Sequence, residues 1–149
     1  MEFLNLDLRD EEIFLKEIML LEGNPQKGWV PAYRFLICRC DDGAEMGKCD
    51  LRVGHNQGTY YAGNIGYEVA MPYRGHRYAA KACRLLLLLA AKHQMGYVII
   101  TCNPDNIASR KTCEAIGCRL QEIVMLPEDN EMYLRGEREK CIYKLELEG

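Results

Sequence analysis

Residues Ile65–Ala91, IGYEVAMPYRGHRYAAKACRLLLLLAA, decide how this chain is read. Ile65–Ala70 reads as a strand and Met71-Pro72 as a turn. Arg74-Gly75-His76-Arg77-Tyr78-Ala79 is a basic loop, and a strongly apolar helix follows without a break, from about Tyr78 to Gln94. A strand, a cationic loop and a helix N-terminus in direct succession make an anion site. The first helical turn carries free backbone N–H groups, and the helix dipole adds partial positive charge there.

The rest of the composition narrows what that anion can be. The chain has 149 residues, 48% hydrophobic and 28% charged, which fits one folded domain over 1–149. Its net charge of −3 argues against general nucleic-acid binding, which needs a basic footprint. A local basic patch on an acidic chain points instead to a small anionic ligand. The N-terminus MEFLNLDLRDEE lacks the pattern of a secretory leader, and the longest apolar run, Leu85–Ala91, is too short to span a bilayer. The expectation is a cytoplasmic protein with no membrane contact. Eight cysteines include no C-x-x-C pair, so they read as scattered reduced thiols and no metal is expected.

Read in order, Glu2–Leu8 alternates in period 2 and predicts a first strand. Asp10 reads as an N-cap, with Ile13, Phe14, Glu17, Ile18 and Leu21 at helical spacing behind it and Gly23-Asn24-Pro25 as the stop. Ala32–Cys40, Met46–Val53 and Thr59–Ala70 read as three strands joined by short turns, an antiparallel meander. Tyr97–Cys102 is a short apolar run of the kind found in buried central strands. Asn103 reads as a cap with Pro104 at the first helical position, Ile107–Ile116 as the helix and Gly117 as its end. Cys118–Leu126 and Cys141–Leu147 read as two last strands around an irregular acidic segment, Pro127–Glu139. The fold class is mixed α/β in one domain.

That order and two motifs resemble the GNAT superfamily of acetyl-CoA-dependent N-acetyltransferases. The first motif is a strand followed by [Gln/Arg]-x-x-Gly-x-[Gly/Ala], and here it reads Arg74 through Ala79, with Arg77 in place of the central glycine. The second is a strand, then Asn-x-x-[Ala/Ser] and a short helix ending at glycine, matched by Asn106-Ile107-Ala108-Ser109 and Gly117. Ser109 is most similar to the branch of ribosomal-protein and aminoglycoside acetyltransferases. The resemblance implies a mostly antiparallel sheet splayed between its fourth and fifth strands, with helices on both faces. It implies acetyl-CoA as cosubstrate, its pyrophosphate on the backbone of Gly75–Ala79 and charge from Arg74, His76 and Arg77. It also implies that Tyr78 and Ala79 open the binding helix, that Val69 borders the pantetheine arm, and that Asn106 and Ser109 hold or orient its end.

Amine acetylation needs a neutral amine and a donor for the departing thiolate. The family tyrosine seven residues after the Asn is Cys113 here, and the glutamate five residues before it is Thr101. Cys113 is therefore a candidate donor against the plainer role of a small buried helix residue. Glu68 on the fourth strand and His55 in the turn Gly54–Gly58 are the candidate bases. Glu68 is equally a charge at a sheet opening, and His55 a turn residue. Positioning alone can also supply much of the acceleration. The partner implied is a small-molecule or peptide amine, and the terminal strand edge offers a surface for a second copy as a homodimer. Two other classes stand beside the enzyme: a non-catalytic acyl-CoA-binding sensor or scaffold, and a cysteine-based redox or metal protein.

Overall fold

The leucine-rich helix is the centre of the core. In a computed structural model describing residues 1–147, it runs Tyr78–Lys92 and buries Ala82, Cys83, Leu86, Leu89 and Ala90 along one stripe, the 3–4 spacing of an apolar helix face. The last two residues of the expected domain lie outside the described residues. Around this helix, α2, the chain order is β1 (Ile13–Leu21), β2 (Ala32–Arg39), β3 (Glu45–Arg52), α1 (Gln57–Ala62), β4 (Ile65–Val69), α2, β5 (Tyr97–Cys102), α3 (Ile107–Ala115), β6 (Arg119–Met125), α4 (Glu131–Leu134) and β7 (Glu139–Glu146). The strands form two antiparallel sheets, ordered β1-β2-β3-β4 and β5-β7-β6. One buried cluster runs through both, from Tyr33, Phe35 and Leu51 under α2 to Val98, Ile100 and Tyr143. Each fully buried leucine there contributes about 2 kcal/mol.

The mixed α/β class and the splay between the fourth and fifth strands are present as expected: β4 ends one sheet and β5 begins the other. Helices on both faces describe only the second sheet. There the adjacent residues Ile142 and Tyr143 point to opposite sides, and the Tyr143 hydroxyl meets Arg110 of α3, while α1 packs against the other side of β5. On the first sheet α2 covers one face. The opposite face presents Lys16, Arg34, Leu36, Lys48, Asp50, Arg52 and Glu68, placed together by strand register.

Three local expectations are corrected. Ile13–Leu21 is a strand, although its apolar residues sit at helical spacing. Pairing with β2 buries Ile13 and Leu15, two apart, and leaves Ile18, Met19, Leu20 and Leu21 exposed. The Asp10 carboxylate does accept two backbone N–H groups, Glu12 at 2.7 Å and Ile13 at 2.8 Å, but the turn so made opens a strand. Glu2–Leu8 is not a strand. It is an extended strap tied by Leu4 N–H to the Tyr33 hydroxyl at 2.7 Å and by Leu15 N–H to Leu8 O at 2.9 Å. The strand expected over Thr59–Ala70 begins only at Ile65. Asn56 and Thr59 exchange side-chain bonds in a capping box and turn Gln57–Ala62 into α1. Among the described residues no helix is long and apolar enough to cross a membrane.

Candidate active site

Asn64 joins the two sheets. It is fully buried, and every polar group of it is bonded. Its backbone N–H donates to Ile99 O at 2.6 Å, and its carbonyl accepts from Arg52 N–H at 2.7 Å. Its side chain completes both ladders: Oδ1 accepts from Ile99 N–H at 2.8 Å, and Nδ2 donates to Arg52 O at 3.1 Å and Gly54 O at 2.8 Å. Next to it Gly63, at φ 87°, brings its backbone so near β5 that a Cβ would lie 3.2 Å from Thr101 N. β4 and β5 are therefore clamped at their N-terminal ends and part toward Val69 and Cys102.

The edge of β4 that faces this gap is polar. Ala70 N–H bonds Met46 O, so the even-numbered residues of β4 direct their backbone toward β3. By alternation, Ile65, Tyr67 and Val69 turn theirs toward the gap. At the open end stands the N-terminus of α2, which has no side-chain cap. Gly75 at φ 89° and Arg77 at φ 63° bend the preceding loop into it. Arg77 is thus a left-handed non-glycine residue, a strain on the order of 1 kcal/mol at the position where the motif has glycine.

A sequence profile of the family described as "Acetyltransferase (GNAT) domain" matches residues 2–119. The chain belongs to the GNAT family. No match was found among curated proteins. Similar solved structures include a GNAT acetyltransferase from Bacillus anthracis, 18% identical, with TM-score 0.62 over 76% of this chain and 65% of that one. The microcin C7 self-immunity acetyltransferase MccE, in complex with acetyl-CoA and AMP, is 21% identical with TM-score 0.62, over 78% and 61% of the two chains. The ribosomal-protein-S5-alanine acetyltransferase from Vibrio fischeri is 17% identical with TM-score 0.61, over 77% and 61%. This GNAT chain thus spans less than two thirds of the length of those chains. At these identities the likeness is one of fold.

Within the GNAT gap, the expected coenzyme residues are distributed as follows. Arg74, His76 and Arg77 are exposed around the α2 N-terminus, with Tyr78 and Ala79 half-buried in its first turn. The Arg74 side chain turns back, and its Nε donates to the gap-facing Val69 carbonyl at 2.8 Å. Asn106, rather than Asn103, caps α3: its Oδ1 accepts from Ser109 N–H at 3.1 Å, which places the helix start after the expected Pro104. Acetyl-CoA fits this arrangement on one observation. Among the described residues, two buried side-chain polar atoms lack partners: the Tyr67 hydroxyl on β4 and Asn103 Oδ1 just past β5. One lies on β4 and the other directly after β5, the two strands that border the gap, and such atoms are costly unless a partner meets them.

The catalytic candidates separate. Glu68 is exposed on the open sheet face, opposite Lys48 in register, beside the gap. Cys113 is withdrawn from it: fully buried, with its thiol against Cys118, whose hydrogen bond together with burial raises its pKa. His55 lies at the clamped end, stacked 3.9 Å from Tyr97 with Nε2 3.2 Å from Met95 O, so it serves the turn before β5. Thr101 is committed to α1, its hydroxyl donating to Tyr61 O at 2.9 Å. A cavity of about 530 Å³ lined by Gly117, Arg119, Leu120 and Lys144 lies at the β6–β7 end, apart from these groups. Sequence reading missed Asn64. The signal for Asn64 was an amide between Gly63 and Ile65, inside a run that otherwise reads as a strand.

Proposed function

We propose that this chain, read as a single unit over 1–149, is an N-acetyltransferase that moves an acetyl group from acetyl-CoA to a primary amine within a ternary complex. The observation that carries it is the gap between β4 and β5, clamped at Asn64–Ile99 and opening beside the α2 N-terminus. Acetyl-CoA supplies an activated acyl group on a good leaving thiolate. The N–H groups of Tyr78 and Ala79 receive its phosphates with Arg77 and His76 beside them. The Tyr67 and Val69 amides line its arm, and Asn106 and Ser109 border its end.

The amine enters from the other side. Among the described residues no helix packs over the sheet face carrying Glu68, so an acceptor as large as a peptide N-terminus reaches the gap there. Glu68 accepts the amine proton, directly or through water. An acidic residue at that mouth also favours a cationic amine over neutral nucleophiles. Peptide amines are the leading acceptor class, because structural relatives include a ribosomal-protein-alanine acetyltransferase. The setting of such a reaction is the cytoplasm.

A second reading, a non-catalytic acyl-CoA-binding protein, draws support from Cys113 and Thr101, both turned to structural tasks. Isothermal titration separates the outcomes. Acetyl-CoA is expected to bind with micromolar Kd, and Arg77→Ala with His76→Ala to weaken it about tenfold, near 1.4 kcal/mol. No heat at millimolar ligand with folded protein would withdraw the coenzyme reading. Binding with no turnover across peptide, lysine, polyamine and aminoglycoside amines would favour the sensor.

A further inference from the structure

Gly66 lies two residues before Glu68 on β4, so strand alternation sets both positions on the sheet face opposite α2. Register places Gly66 beside Asp50, Asp50 beside Arg34, and Glu68 beside Lys48. A Cβ added at Gly66 would meet nothing nearer than Arg52 Nη1 and Asp50 Oδ2, each 4.0 Å away. The missing side chain therefore leaves a notch in this face, walled by a guanidinium and a carboxylate. Gly66 is not among the glycines of positive φ, so its backbone does not demand glycine. A glycine inside a strand weakens it, and close approach of another molecule is one reason to have it there.

The two walls differ in how their charge is met. Asp50 is engaged by Arg34, whose Nε donates to Oδ1 at 2.9 Å and Nη2 to Oδ2 at 3.5 Å. Arg52 is half-buried, and among the described residues it has no ion pair. Its side chain makes one hydrogen bond there, from Nη1 to Gly63 O at 3.1 Å. That bond ties the guanidinium to the residue next to the Asn64 clamp. A guanidinium carries five N–H donors, so most of those on Arg52 remain for another acceptor. Because Arg34 neutralises Asp50, Arg52 sets the sign of the notch, and its planar fork matches a carboxylate.

We propose that Arg52 and the Gly66 notch bind a carboxylate of the acceptor, so that the favoured substrates are peptides with Asp or Glu as the second or third residue after the reacting amino terminus. The inference rests on the acetyl-transfer reading above and specifies its acceptor. Two residues along a strand separate the Glu68 and Gly66 positions by about 7 Å. An N-terminal nitrogen and the side-chain carboxylate of an acidic second or third residue span that distance. With its amine at Glu68 and its carboxylate at Arg52, the acceptor lies along β4 in one direction, its nitrogen toward the open end of the gap. A lysine in place of the acid meets Arg52 with like charge and is disfavoured.

The test uses four-residue peptide amides in which a side chain supplies the only carboxylate. They are Ala-Glu-Ala-Ala-amide, its glutamine and lysine counterparts, and the same set with the varied residue third. On the wild type with acetyl-CoA, kcat/KM for the better glutamate peptide should exceed that for its glutamine counterpart about tenfold, chiefly through KM, and the lysine peptide should be the poorest. Arg52→Gln should bring the glutamate-to-glutamine ratio close to one, and Arg52→Glu should reverse the order of the glutamate and lysine peptides. Because Arg52 also holds Gly63, Gly66→Val is the independent variant. It fills the notch, keeps both arginines and suits a strand, so it should melt no lower than the wild type and yet lose the preference. Equal kcat/KM for the glutamate and glutamine peptides on the wild type overturns the carboxylate subsite and leaves acetyl transfer standing. A preference that survives in both Arg52→Gln and Gly66→Val overturns it as well. Failure to acetylate any of these peptides also overturns it, and titration with acetyl-CoA then decides the coenzyme reading separately.

Discussion

Asn64 does with one side chain what a length of sheet normally does with backbone. Its amide replaces a β3–β4 bond through Nδ2 and makes a β4–β5 bond through Oδ1, so the strands meet at one residue and are free to part beyond it. Asn64→Ala leaves Arg52 O, Gly54 O and Ile99 N–H without this partner in a dry site. The expected loss is about 3 kcal/mol of stability in urea unfolding. Asn64→Asp should cost more, since it sets a carboxylate oxygen against two carbonyls. A loss below about 0.5 kcal/mol would show that the clamp does not depend on the amide. Arg77 is the complementary case, a residue ill-suited to the left-handed region that is held there at the start of α2.

At the scale of elements, the N-terminal strap and the end of α2 share one bond network. The Tyr33 hydroxyl accepts from Leu4 N–H and shares a hydrogen bond with His93 Nε2 at 2.6 Å, with Phe3 edge-on to the Tyr33 ring. Burial, helped by the N-terminal amine, lowers the His93 pKa below its usual 6.5. The unfolded chain therefore takes up a proton near pH 6.5 that the folded chain resists. This contribution to stability is complete above about pH 6.5 and declines as pH falls below it. Urea midpoints should drop on moving from about pH 7.5 to 5.5, and His93→Gln should flatten that drop. The misread β1 belongs to this scale too. IFLKEIMLL satisfies helical spacing, but only a strand can pair with β2 along its length.

At the scale of the molecule, the two sheets share a core but among the described residues meet edge to edge only at Asn64–Ile99, so a ligand between β4 and β5 would complete the sheet. The Ala70 amide, bonded to Met46 O, should exchange slowly with and without acetyl-CoA. The Tyr67 and Val69 amides, which face the gap, should exchange quickly in the free protein and slow at least tenfold on ligand binding. Equal protection in both states would place the ligand outside the gap. On the proposed reading, the acceptor approaches β4 over the charged residues that strand register places on the face of the first sheet opposite α2.

By itself the sequence determined the core helix, the basic loop at its start, the short strand YVIITC and the second motif, because each is a local pattern with few alternatives. A seven-residue leucine and alanine run beside a glycine-containing loop is a helix start in almost any context, and the two motifs were enough to indicate the family. Tertiary structure decided the rest. Whether Ile13–Leu21 is helix or strand depends on a partner about twenty residues away. Whether Cys113 meets the ligand depends on Cys118 and the sheet beneath it. The clamp at Asn64 and the unpaired hydroxyl of Tyr67 depend on contacts across 35 and more than 40 residues of sequence. Spacing reports which residues can share a face. Only packing settles which polar atoms are left for a ligand to satisfy.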